Sequence, residues 1–199
     1  MPDFSLELAL YEKGYTAVCG VDEAGRGPLS GPVVAAACIL PPGLQIEGLD
    51  DSKKLSPKKR DALFDTIKEN ALAYAIASAS PAEIDEINIL NATMLAMRRA
   101  VAALSVPADA ALIDGNIARD FPIFTQTVIK GDAISCSIAA ASILAKVTRD
   151  RICLEDDKAY PEYQFAKHKG YSTALHMEIL RKIGPSPIHR RSFLKFLDE

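Results

Sequence analysis

The order of apolar segments in this 199-residue chain predicts an α/β (α+β) fold, built on one sheet of mixed strand direction. Two strand-like runs come first, with no helical pattern between them, and later strand-like runs alternate with helical ones. The composition sets the class: 49% hydrophobic and 25% charged residues make a globular balance, neither disordered nor fibrous. At this length a single domain over residues 1–199 buries roughly 70% of its unfolded surface and needs no disulfide or structural-metal staple.

The elements follow in order. Residues 16–21 and 33–40 are rich in Val, Ile, Cys and Ala and too short for helices, so they read as strands. Residues 72–79, 110–113 and 123–129 are three further strands. Ser56-Pro57 opens a helix, with serine as cap and proline at the first helical position, and Leu63, Phe64, Ile67 and Ala71 share one face. Ser80-Pro81-Ala82-Glu83 is a capping box and opens another helix. Met94, Met97, Val101 and Leu104 form a helical inner face, read as core packing. Residues 137–151 form a long Ala-rich helix, in which Ala139, Ala140 and Ala141 allow close approach of a neighbouring element. The longest apolar run, residues 33–40, is well short of the roughly 20 residues of a membrane span. Residues 1–12 carry acids and no basic leader, against a secretory signal. Cys19, Cys38, Cys136 and Cys153 have no metal-ligand spacing and read as reduced, buried thiols of a cytoplasmic protein.

The net charge of −3 excludes a protein that merely coats nucleic acid. The charge is unevenly placed. Residues 158–199 hold eight basic side chains against four acids, and the rest holds 15 against 22. All three histidines lie in that basic extension. An acidic body with a basic tail suits an anionic polymer laid across both.

The sharpest local feature is Val21-Asp22-Glu23-Ala24-Gly25-Arg26-Gly27-Pro28. An apolar strand runs into two acids and then a glycine–arginine–glycine turn, and the glycines predict that the chain leaves strand geometry here, so that both acids reach one site. Leu112-Ile113-Asp114-Gly115 and Val128-Ile129-Lys130-Gly131-Asp132 repeat the pattern. Singly, each has a plainer reading: a polar strand end, a turn aspartate, a helix cap. Together, three strand ends carrying Asp22, Glu23, Asp114 and Asp132 fit one crevice at the carboxyl edge of a sheet. Four clustered carboxylates make an all-oxygen site for Mg²⁺ or Mn²⁺ rather than zinc. Two such ions can clamp the attacking and leaving oxygens of a phosphodiester.

Phosphates need cations, and residues 53–60 hold five. Lys167-His168-Lys169-Gly170-Tyr171 sets an aromatic ring beside more. No role is read for Ile134-Ser135-Cys136-Ser137. The tail Arg190-Arg191-Ser192-Phe193-Leu194 could dock DNA, a replication clamp or its own core, and core packing is the default for Phe193 and Leu194.

These blocks, with Asp51-Ser52-Lys53-Lys54-Leu55, Asn88-Ile89-Leu90-Asn91-Ala92-Thr93-Met94 and the run Ala140 to Asp150, resemble the signatures of type 2 ribonucleases H (ribonuclease HII) of bacteria, in the family's order. The resemblance implies a ribonuclease H-like fold, a five-stranded mixed sheet flanked by helices with a helical C-terminal extension. It implies cleavage of RNA in RNA–DNA hybrids and incision at ribonucleotides embedded in duplex DNA, leaving 5′-phosphate and 3′-hydroxyl ends. The family's metal-binding acids fall on Asp22, Glu23, Asp114 and Asp132, its ribose-sensing turn on Gly25, Arg26 and Gly27, and its sugar-packing tyrosine on Tyr171. Ser52, Lys53, Lys54 and Lys146 are further substrate-contact candidates. Two Mg²⁺ or Mn²⁺ ions, a monomer and no membrane partner complete the expectation. The rivals are a metal-dependent DNase or strand-transfer enzyme of the same fold type, and a hybrid-binding module with a structural ion. A nucleotide enzyme lacks its phosphate loop.

Overall fold

The structure is a computed structural model and describes residues 1–50, 52 and 55–197. Among these, five strands form one sheet in the order β3-β2-β1-β4-β5: β1 (Val18–Ala24), β2 (Val33–Ile39), β3 (Ala73–Ala79), β4 (Ala110–Asp114) and β5 (Phe124–Val128). β1–β2 and β2–β3 pair antiparallel, while β1–β4 and β4–β5 pair parallel. The sheet is thus of mixed direction, as expected. β1, β2 and β3 make up the antiparallel half, with α2 between β2 and β3, and β4 and β5 extend the sheet from β1 as its parallel half.

Helices cover both faces. On one, α3 (Pro81–Ala102) packs Met94, Met97 and Val101 against Cys19, Val21, Ala35 and Ala37. On the other, α2 (Pro57–Asn70) and α4 (Cys136–Ala159) pack Leu63, Phe64, Ile67, Ile143 and Leu144 against Ala36 and Cys38. Strands buried on both faces read as unbroken apolar runs rather than alternations. All four cysteines are free and buried.

The expected caps form. Ser56 accepts from the Lys59 amide, and Ser80 and Glu83 close a reciprocal box. α3 is interrupted at Asn88 (φ 66°), whose Oδ1 accepts from the Asn91 amide and so re-caps the helix. α4 is capped by Ser135 and extends to Ala159, past the expected end at Arg151. Its seating on β1 is a backbone contact: a Cβ on Gly20 would lie 2.1 Å from the Ser137 carbonyl carbon. Ala139, Ala140 and Ala141 are wholly buried there, the close approach anticipated from their size.

α1 (Ser5–Glu12) was not anticipated. Its buried Glu7 accepts from the Ser135 hydroxyl at 2.6 Å and the Ser137 amide at 2.9 Å. That explains the 134–137 segment: it is the docking point of the N-terminal helix. The C-terminal extension is only partly helical, with α5 (Phe165–His168), α6 (Ala174–Ile183) and short 3-10 turns. Tyr163, Phe165, Leu180 and Leu194 close on Leu29, in the β1–β2 connection, and Phe193 packs beside them, so core packing holds for both tail residues. Among the described residues no helix is long and apolar enough to cross a membrane.

Candidate active site

The β1–β4 register sets Val21 beside Ile113. One residue further places Asp22 beside Asp114 at the carboxyl ends of two parallel strands, about 4.8 Å apart in strand spacing. One expectation is corrected here. The chain does not leave strand geometry before the acids: β1 stays paired with β2 through Ala24, so Asp22 and Glu23 stand inside the strand. Those ladder bonds keep the backbone extended until Gly25 turns it. Alternation then puts Asp22 on the α4 face and Glu23 on the α3 face. Both nevertheless line one cavity of about 270 Å³, with Asp114, because that cavity wraps the strand ends.

The electrostatics are those of crowded acids. Burial first, and then the charges of Glu23 and Asp114, push the Asp22 carboxyl well above the ordinary carboxylate range. The Ser142 hydroxyl and the Glu23 amide, the latter at 2.7 Å, bond to it and offset part of this. Asp114 accepts from the Gly131 amide at 2.7 Å, which fastens the end of β4 to the segment carrying Asp132. Asp132 sits in the 3-10 turn Gly131–Ala133, buried, and does not line the cavity. Ser135 takes the α4 cap, so Asp132 is not that cap. The structure therefore brings Asp22, Glu23 and Asp114 to the cavity wall, with Asp132 buried in the turn whose Gly131 amide bonds Asp114. Among the described residues no group of three or more His, Cys, Asp or Glu side chains is drawn together closely enough to hold a metal ion as they stand.

The glycine turn forms the next wall. Gly25 has φ +93°, and a Cβ there would lie 2.6 Å from the Arg149 Nε and 3.0 Å from the Pro32 carbonyl oxygen, so only glycine fits. Arg26 bends back to Glu23 at 3.4 Å. Gly27 does not line the cavity itself, but the Tyr171 ring lies against it, and Tyr171 is 47% exposed on the cavity wall. Ser52 is buried, with its hydroxyl 2.9 Å from that of Ser142. Lys146 lines the cavity and pairs with Asp150 at 2.5 Å. Lys53 and Lys54 lie outside the described residues.

Three supporting residues escaped the sequence reading. Ser142 joins Ser52 to Asp22. Arg149 donates from Nη2 to the Ser30 and Lys169 carbonyls. Arg190, wholly buried, donates to the carbonyls of Gly25, Arg26, Pro28 and Gly31. Of these, only Ser142 had a signal, as a polar residue among the alanines of α4. Arg190 sits in a basic run that looks like solvated surface.

The histidines form a chain of neutral rings behind Tyr171. The Ser186 amide donates to His189 Nδ1 at 2.9 Å, so His189 Nε2 donates to His176 Nε2 at 2.9 Å, and His176 Nδ1 donates to the Tyr171 carbonyl at 2.9 Å. The Gly170 amide likewise fixes His168, whose Nε2 donates to the Tyr163 carbonyl. Burial is the first cause that lowers all three histidines, His189 to about 4.

Residues 19–196 match the family model described as Ribonuclease HII. A curated Ribonuclease HII of Desulfitobacterium hafniense (strain Y51) is 58% identical over 187 residues, 94% of this chain and 72% of that protein. One of Marinomonas sp. (strain MWYL1) is 61% identical over 177 residues, 88% of this chain and 89% of that one. Among solved structures, the ribonuclease H2 of Pyrococcus horikoshii OT3 superposes with a TM-score of 0.73 at 27% identity, over 92% of this chain and 97% of that one. With the strand order, the crowded acids and the glycine turn already in place, these matches settle the family: the chain belongs to the ribonuclease HII family.

Proposed function

We propose that this chain cleaves the RNA strand of RNA–DNA hybrids, and incises duplex DNA at embedded ribonucleotides, in the cleft where β1 and β4 end. Family membership supports the endoribonuclease activity. The observation that carries the location is the juxtaposition of Asp22, Glu23 and Asp114 in one cavity with the Gly25 turn and Tyr171.

The acids fit divalent cations on two grounds. Their donor set is all oxygen, and Asp22 is held in a repulsive setting that a cation would relieve. Asp22, Glu23 and Asp114 would hold Mg²⁺ or Mn²⁺, with Asp132, next to the Gly131 amide that Asp114 accepts, as the fourth ligand. Two such ions, when bound, supply Lewis-acid activation of water and stabilise charge on the leaving oxygen. A water oxygen bonds to phosphorus, the bond to the 3′-oxygen breaks, and the strand is left with 5′-phosphate and 3′-hydroxyl ends.

The remaining work falls to the chain's own groups. The 2′-hydroxyl is what marks RNA locally. Gly25, Arg26 and Gly27 present a backbone that comes close to the sugar, where a side chain would be in the way. Tyr171 offers a flat apolar face to the neighbouring sugar, and Lys146 a charge toward phosphate. Ser52 acts through Ser142 on the orientation of Asp22. The buried, free thiols fit a reducing compartment such as the cytoplasm.

The test is cleavage of a DNA duplex holding one ribonucleotide, of an RNA–DNA hybrid, and of the all-DNA duplex, across Mg²⁺ and Mn²⁺ titrations and with EDTA. Metal-dependent cutting of the first two, with the all-DNA duplex intact, is the expected result. Cutting of all three would make the chain a DNase, and binding without cutting would make it a hybrid-binding module.

A further inference from the structure

We propose that Arg190 is a positioning residue for the reaction: its buried guanidinium sets the shape of the Gly25–Arg26–Gly27 turn and thereby the rate of cleavage at a ribonucleotide. The inference rests on the proposed reading of that turn as the ribose detector.

The geometry is specific. Nη2 donates to the Gly25 carbonyl at 2.6 Å, Nη1 to Arg26 at 2.9 Å and to Pro28 at 2.7 Å, and Nε to Gly31 at 2.9 Å. One planar fork thus spans the turn from Gly25 to Gly31. The backbone of the same residue adds a bond, from the Arg190 amide to the Leu29 carbonyl at 2.8 Å. Gly31 returns one to Ile188 at 2.9 Å.

Other contacts hold the far part of the turn, Leu29 through the Gly170 carbonyl and Ser30 through Arg149, whereas the carbonyls of Gly25, Arg26 and Pro28 accept from Arg190. Glycines on either side of Arg26 leave that part of the backbone free to take several conformations unless it is held. A turn that recognises one hydroxyl by backbone contact needs its peptide planes held within a fraction of an ångström. A side chain with several donors in a fixed plane does this, whereas an ammonium, a point charge on a flexible stem, does not.

The tail is anchored in turn. Asp85 on α3 accepts from the Arg191 amide at 2.8 Å, the Ser192 amide at 2.9 Å and the Ser192 hydroxyl at 2.6 Å. The basic extension therefore reaches the reaction from behind, through backbone, without touching substrate at Arg190.

The experiment compares wild type, Arg190→Lys and Arg190→Met, with kcat and KM measured separately on a DNA duplex holding one ribonucleotide. Thermal melts establish folding, and Mn²⁺ calorimetry reports the acids. The expected result is a fall in kcat of roughly 10- to 100-fold for Arg190→Met, a smaller fall for Arg190→Lys, KM within about threefold, and unchanged Mn²⁺ affinity. Folded Arg190 variants with wild-type kcat would overturn the proposal and leave Arg190 a stability residue. If neither variant folds, Asp85→Ala, which frees the tail beside Arg190, decides: a fall in kcat at constant KM upholds the proposal, and no change overturns it. A wild-type chain inactive on every ribonucleotide-containing duplex would instead remove the proposed function itself.

Discussion

The carboxyl edge of the sheet and the C-terminal extension handle buried charge in opposite ways. At the sheet edge, Asp22 is buried beside two other acids, and its ionised form is disfavoured first by burial and then by that company. In the extension, Arg190 is buried among four carbonyl oxygens, and three histidines are locked as neutral rings, each with a donor at one ring nitrogen and an acceptor at the other. One region crowds like charges together, a repulsion that a cation would relieve. The other is complete in itself and so can act as a rigid support. The difference teaches that charge sign in a sequence does not reveal role: the acidic region is the one we propose binds, and part of the basic region is built to be buried.

The comparison breaks most visibly at the acids. Asp114→Asn should lower metal-dependent cleavage by a factor on the order of a thousand or more, since a clamped ion stabilises the transition state by several kcal/mol. Folding should survive. Asp22→Asn should in addition raise stability in EDTA by about 1 kcal/mol, because a crowded charge is removed. Melts in EDTA and in excess Mg²⁺ check this. A loss of stability in EDTA would mean that the site is not under repulsion.

The next effect is on the other side of the comparison and has the opposite chemistry. The histidines titrate below their ordinary 6.5 in the folded chain, so the unfolded chain takes up protons first as pH falls. Their contribution to stability is complete above pH 6.5 and is lost as pH drops toward about 4, the folded value of His189. The loss should be on the order of 2 kcal/mol. A proton on His189 would face His176, His168 and Arg191, and it would break the chain of bonds ending on the Tyr171 carbonyl. Hydrogen exchange over residues 165–194 between pH 7 and 4.5 should report opening there before the sheet. Uniform opening would show that the extension is not a separate support.

Tyr171→Ala sharpens the contact between the two regions. It should reduce cleavage at an isolated ribonucleotide by about tenfold, the scale of one stacking contact, with little change in melting because the ring is half exposed. An unchanged rate assigns the ring to packing against Gly27. Lys146→Ala should have the smallest effect. Its pairing with Asp150 within one helix is worth under about 0.5 kcal/mol. If Lys146 meets phosphate, the salt dependence of substrate binding should fall by about one counterion.

Much of this was legible beforehand. The strand runs, the Ser56 and Ser80 caps and the close-packing alanines of α4 are local patterns, and they formed as local physics dictates. Two of the three apolar-strand-then-acid motifs, those ending in Asp22–Glu23 and in Asp114, fall on one cavity wall. The course of β1 through Asp22 and Glu23 was not legible, because its pairing with β2 outweighs the turn signal of the glycines that follow. Glu7 could not be read as a buried anchor either, since its partners lie 128 and 130 residues away.

By itself the sequence determined the class of fold, the family and the acids that share an edge, because these follow from periodicity, caps and motifs along the chain. Only the tertiary structure decided that Val21 pairs with Ile113 and so brings the next residues, Asp22 and Asp114, together, that Asp132 is buried in the turn whose Gly131 amide bonds Asp114, and that Arg190 turns inward to the carbonyls of the glycine turn. Those outcomes depend on which distant backbone carbonyls and amides meet, and no local pattern of side chains encodes that meeting.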